Sequence, residues 1–198
     1  LRLSELGLDE KKTTLLYAPT FYPSSIECMS DQFPEDFSDY NIIIKPHFFS
    51  VVKPRYKKQK QKLLKWKKYN NVYLTNNHEF NLTPFLDIAD IMLSDASSAI
   101  FEFAALDKPV VWCDFYKLRW SYRGFFAFRL KARLDEDIHY FNKICHPARG
   151  YKELALAISD CKSETNEFKQ TRAQLIEQLA GKTDGLSALR IVNYLERH

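Results

Sequence analysis

Glycine is scarce, at 5 of 198 residues, and proline modest at 8, too few for a collagen-like or low-complexity chain. A disordered chain is excluded too, because 45% of the side chains are hydrophobic, enough to bury a core that offsets the entropy of folding. No run approaches the ~18 uninterrupted apolar residues that a membrane-spanning helix needs. The four cysteines, Cys28, Cys113, Cys145 and Cys161, stand far apart and form no CxxC pair. That pattern argues against a zinc site and for single thiols in a reducing cytosol. Basic residues number 29 against 25 acidic ones, and a charge of +4 is too mild to signal nucleic acid as a partner. The first residue is not Met, and Leu1 to Glu5 lack the order of a signal peptide. We read the sequence as a piece of a longer protein.

Short apolar runs alternate with helical stretches. Thr14–Ala18, Asn41–Lys45, Asn71–Leu74, Asp90–Ser94 and Pro109–Cys113 read as strands. Their continuous apolar character is that of strands buried on both faces. Strand and helix in this rhythm predict an α/β fold, a Rossmann-like parallel sheet with helices on both faces. Residues 115 to 150 are aromatic and irregular. Helices are predicted over Tyr151–Lys162, Glu164–Ala180 and Leu186–Glu196, the last with an apolar stripe that packs on the sheet or on a missing partner domain.

In open parallel sheets ligands sit at the carboxyl ends of the strands. The first strand is followed by Pro19-Thr20-Phe21, the second by Pro46-His47, the fourth by Asp95-Ala96-Ser97-Ser98 and the fifth by Asp114. Ser97 or Ser98 caps a helix running to Leu106. Free N–H groups and hydroxyls at such a helix start suit phosphate oxygens, and Glu102 is placed to accept hydrogen bonds from a ribose diol. A Ser-rich helix cap with no ligand role remains the plainer alternative. His47, beside a diphosphate, would have its pKa of ~6.5 raised and stabilise charge on a leaving phosphate as imidazolium. The lysine-rich run from Lys53 to Lys68 is either a solvated helix face or a contact for anionic lipid or a polyanionic acceptor. Leu63, Leu64, Trp66 and Tyr69 form the buried side of its helix.

Six segments, in order, resemble the CDP-glycerol glycerophosphotransferase family of teichoic acid primases and polymerases. They are Leu16–Phe21, Ile44–His47, Leu93–Phe103, Leu106–Val110, Tyr122–Phe125 and Asp184–Arg190. The resemblance implies the C-terminal half of a GT-B fold, residues 1–198 forming one nucleotide-donor-binding domain whose N-terminal acceptor domain lies outside this chain. It implies transfer of glycerol phosphate from CDP-glycerol, or of a related polyol phosphate, to a lipid-linked or polymer acceptor with release of CMP. No metal and no cofactor are implied, and the setting is the cytoplasmic face of the membrane. His47 corresponds to the family's strand-end histidine, and Ser97 and Ser98 to its phosphate-contacting serines. Thr20, Lys45, Asp95 and Arg123 lie in the same segments as further substrate contacts. A ribose role for Glu102 rests on a likeness to UDP-sugar epimerases and other GT-B transferases. Tyr22-Pro23 replaces a basic residue common after the first segment, and Ala96 stands where Tyr is frequent. The donor therefore stays open between a CDP-polyol and a UDP-sugar, and a non-catalytic module docking on anionic membrane or polymer is the rival from another class.

Overall fold

A computed structural model describes residues 1–76, 78–118 and 140–197. Its centre is a six-stranded, wholly parallel sheet in the order β3-β2-β1-β4-β5-β6. The strands are β1 (Thr14–Ala18), β2 (Asn41–Ile44), β3 (Val72–Leu74), β4 (Ile91–Ser94), β5 (Val110–Cys113) and β6 (His146–Ala148). β1, β2, β4 and β5 are buried along their whole length, as their unbroken apolar character requires. The polar residues just before the strands tie down the strand starts. The Asn71 side-chain amide donates to the carbonyls of Pro34, Phe37 and Tyr40, and the Asp90 carboxylate accepts from the Thr14 N–H at 2.8 Å.

Two apolar layers cover the sheet. On one side, α1 (Phe33–Asp36), α3 (Lys57–Trp66) and α7 (Leu154–Lys162) bury Phe33, Leu63, Trp66, Leu154 and Ile158 against Leu15, Tyr17 and Ile44. On the other, α4 (Thr83–Ile88), α5 (Ala99–Ala104), α6 (Phe141–Ile144) and α8 (Asn166–Ala180) bury Phe85, Ile100, Phe103, Phe141 and Ile176 against Leu16, Ile43 and Met92. The short α2 (Phe48–Val52) follows β2. The chain leaving β1 joins the first layer and the chain leaving β4 the second. These neighbouring strands thus form a topological switch point, where a crevice opens at their carboxyl ends.

Several boundaries differ from the sequence reading. β6 falls in the stretch read as irregular; it has three residues, one of them Pro147, and it survives as an edge strand paired with β5 alone because proline is tolerated there. The helix after β4 ends at Ala104 instead of Leu106, the chain turning through Asp107 in a left-handed conformation (φ 56°). Leu63 and Trp66 are buried, yet Leu64 is 48% exposed, since one helix turn cannot aim adjacent residues at one core. The final helix α9 (Ser187–Leu195) packs on neither layer; Leu189, Ile191, Val192 and Leu195 are all exposed.

Candidate functional site

A cavity of about 280 Å³ opens where β1, β2 and β3 end, with the loop after β4 closing one side. Thr20 enters it from β1, Lys45 and His47 from β2, and Ser97 from the β4 loop. Four of the residues singled out in the sequence thus converge on one opening, from three different strand ends.

The β1–β4 seam is fixed from beneath by Asp95. This side chain is buried and turned inward; it accepts from the Thr20 N–H at 2.9 Å and the Ser25 N–H at 3.1 Å. The Ser94 hydroxyl donates to the Ala18 carbonyl at 2.8 Å, and the Tyr17 and Ser25 hydroxyls meet at 2.7 Å. Burial pushes the Asp95 carboxyl up to about 6, against the opposing pull of the Ser25 and Thr20 hydrogen bonds. Asp95 is therefore a brace for the loop carrying Thr20, and it does not line the cavity.

His47 is exposed and caps α2, its Nδ1 accepting from the Phe49 N–H at 3.1 Å. The ring lies 4.6 Å from the Phe21 ring and 5.0 Å from that of Phe49. Desolvation by this packing, followed by the charges of Lys45 and Lys53, lowers its pKa. With Nδ1 committed as acceptor, the imidazole is neutral and presents Nε2–H as a donor. The protein's own groups thus favour the neutral ring, and the imidazolium expected beside a diphosphate would need the diphosphate's charge to form. Desolvation likewise lowers the pKa of Lys45, while the Glu79 charge opposes the shift.

The other serine and the glutamate stand apart. Ser97 Oγ accepts from the Ala99 N–H at 3.3 Å at the start of α5, while Ser98, the N-cap residue, makes no side-chain capping bond, is exposed and lines no part of the cavity. Glu102 is exposed on α5, outside the cavity, because a position five residues past Ser97 has already rotated away from the sheet edge. Arg123 lies outside the described residues.

Sequence reasoning passed over the end of β3. Thr75, Asn76, Glu79 and Phe80 all line the cavity, and the strand-end rule applied to the third strand finds the first two. Glu79 accepts from the Tyr73 hydroxyl at 3.0 Å, which holds its carboxylate at the wall. Phe80, 70% exposed, and Phe48 form an apolar lip with ring centroids 5.9 Å apart. Among the described residues no three His, Cys, Asp or Glu side chains gather as a metal site. A cavity lined by a lysine, a neutral imidazole N–H and the hydroxyl residues Thr20, Thr75 and Ser97 is equipped to bind phosphate oxygens, and Glu79 to accept from hydroxyl groups.

The model of the CDP-Glycerol:Poly(glycerophosphate) glycerophosphotransferase family matches residues 2–197. The chain belongs to this family. A teichoic acid glycerol-phosphate primase of Bacillus spizizenii is 30% identical over 109 residues, 54% of this chain and 27% of that protein. The wall teichoic acid polymerase TagF superposes with a TM-score of 0.59 at 14% identity, over 98% of this chain and 44% of that one. The C-terminal CMP-Kdo binding domain of WaaA from Acinetobacter baumannii gives 0.53 at 14% identity, over 89% of this chain and 94% of that one. These structural likenesses share the doubly wound architecture. The chain covers 44% of the polymerase, and its match to the primase covers 27% of that protein.

Proposed function

We propose that residues 1–198 are the donor-binding domain of a glycerophosphotransferase that takes CDP-glycerol, or a closely related CDP-polyol, in the cavity at the ends of β1, β2 and β3. The observation carrying this reading is the convergence of Thr20, Lys45, His47 and Ser97 on one opening. Lys45 supplies the positive charge for the diphosphate, and the Ser97 hydroxyl and the His47 Nε2–H supply directional donors, while the Thr20 hydroxyl donates to the Pro23 carbonyl and shapes the wall. The Phe48–Phe80 lip, its rings tilted 53° to each other, offers an aromatic face for the cytosine ring. Membership of the family supports the donor class, and a TagF variant soaked with CDPG has the same architecture.

In the reaction, an acceptor hydroxyl gives its proton to a general base in the part of the enzyme outside this chain, and its oxygen forms a bond to the glycerol-side phosphorus. The bond from that phosphorus to the bridging oxygen breaks, and CMP leaves with the electron pair. His47 Nε2–H donates to the leaving phosphate as its charge grows, which lowers the barrier by electrostatic stabilisation. The acceptor, lipid-linked or polymeric, reaches the site at the cytoplasmic membrane face. No helix among the described residues is long and apolar enough to cross a membrane.

Calorimetry with the chain tests the proposal. CMP and CDP-glycerol are expected to bind, and UDP at least tenfold more weakly. Equal or tighter binding of UDP would transfer the site to the nucleotide-sugar class instead.

A further inference from the structure

The second functional surface lies on α3. Gln59, Leu63 and Trp66 are the buried side of this helix, and its lysines lie outside that stripe. A groove of about 780 Å³ runs between α3 and the segment that follows β1. Lys58, Lys62, Lys65, Lys68 and Lys117 line it, against two carboxylates, Glu27 and Asp31. Both acids are engaged: Asp31 pairs with Lys62 at 3.3 Å and with Lys65 at 3.2 Å, and Glu27 accepts from Gln59 Nε2 at 3.3 Å. Five lysines against two acids leave the groove with an excess of three positive charges. Lys58, Lys68 and Lys117 form no ion pair among the described residues.

A third concavity lies between the groove and the donor cavity and shares wall residues with each. Lys60 and Lys67, seven residues apart and hence on one helix face, line a smaller depression of about 210 Å³ on the other side of α3. That depression shares Val51, Thr75 and Asn76 with the donor cavity and Leu64 with the groove. Lysines therefore follow one another from Lys45 in the cavity, past Lys60 and Lys67, across the exposed Leu64, and into the groove.

We propose that this track binds the polyanionic acceptor, a flexible phosphodiester chain, and holds it alongside the donor cavity. The polymer's chemistry rests on the transferase reading above; the charge and continuity of the track do not. Lysine is suited to the task because its ammonium is a mobile point charge that matches no single geometry. A chain of repeating phosphates can slide past such charges without losing net attraction, and the attraction weakens with salt. The concave, lysine-lined shape fits a strand lying in a channel better than a flat bilayer surface.

The test is fluorescence anisotropy with labelled poly(glycerol phosphate) at increasing salt, run beside CMP calorimetry and co-sedimentation with vesicles containing phosphatidylglycerol. The chain is expected to bind the polymer with an affinity that falls steeply as salt rises. Replacing the exposed Lys58, Lys65 and Lys68 together by Glu should weaken polymer binding at least tenfold and leave CMP binding unchanged. A Gln triple at the same positions, which introduces no repulsion, should give an intermediate loss, with thermal melts confirming that both variants fold. Polymer affinity unaltered in the two variants would overturn the proposal, as would vesicle binding that is lost while polymer binding persists. Absent CMP binding with the polymer arm intact would sink the donor reading and leave the track standing.

Discussion

The two rims of the cavity are built in opposite ways. On the β1–β4 side the polar groups that fix the seam are hidden: Asp95, Ser94 and Ser25 are buried, Asp95 accepting from the Ser25 N–H and the Ser94 hydroxyl donating to the Ala18 carbonyl, while Thr20 and Ser97 reach the cavity from this side. On the β2–β3 side they are displayed: His47 is exposed and held by a single side-chain bond, Nδ1 to the Phe49 N–H, and Phe80 is 70% exposed. The hidden groups fix the geometry of the crevice, and the displayed groups, Thr20 and Ser97 among them, are presented to a ligand. If that division holds, changes to the hidden groups act on stability, and changes to the displayed groups act on binding and turnover.

The largest effect is expected at Asp95. Asp95→Ala leaves the Thr20 and Ser25 amides without their acceptor, and each buried unsatisfied donor costs about 1–3 kcal/mol. Chemical denaturation should show a loss of about 2–4 kcal/mol; a loss under 0.5 kcal/mol would show that the seam holds without its brace. The same carboxyl carries a pH signature. Its folded pKa is raised to about 6 from the usual 3.8, so the native state keeps its proton over a range in which the unfolded chain has released it. Native proton excess means that stability from this group is greatest below pH ~4, declines as pH rises towards 6, and levels off above. The stability of Asp95→Ala should lack that declining limb.

Next in size is the displayed imidazole. His47→Ala in the complete enzyme should lower turnover by ~10²-fold or more, the scale of losing one donor to developing charge, with little change in melting temperature. Unchanged kinetics would remove His47 from the reaction, and a collapse of stability would put it on the wrong side of the comparison. Below it come the serines, which the structure separates. Ser97→Ala should weaken CMP binding by about 1–2 kcal/mol, while Ser98→Ala should leave it alone; the reverse result would mean that the loop turns over when donor binds.

Much of this was legible in the sequence because burial on both faces leaves continuous apolar runs, and Leu15, Ile43 and Met92 sit where such runs predict. The strand ends were equally legible, which is why Thr20, Lys45, His47 and Ser97 could be named before the fold was known. What escaped had physical reasons. β6 is three residues long with a proline in it, and so carries no periodicity. Asp95 has the chemistry of a ligand-binding residue, and one sequence does not tell an inward carboxylate from an outward one. The wall formed by Glu79 and Phe80 comes from a loop, where side-chain direction follows no period at all.

The contrast between hidden and displayed extends to α9, where the smallest effect is expected. Its apolar stripe marks it as a helix that packs against something, yet Leu189 is 54%, Ile191 61% and Leu195 69% exposed. Asp184 accepts from the Leu186 N–H at 3.0 Å and pairs with Arg190, so the start of the helix is held by its own residues without support from the sheet. Exposed positions that touch no core change stability by no more than about 0.5 kcal/mol. Leu189→Lys with Leu195→Lys should therefore leave the thermal midpoint of the chain within a degree or two, in contrast to the several degrees expected for Asp95→Ala. A drop as large as that of Asp95→Ala would mean that α9 is packed in solution, and that the stripe belongs with the core instead of with a surface.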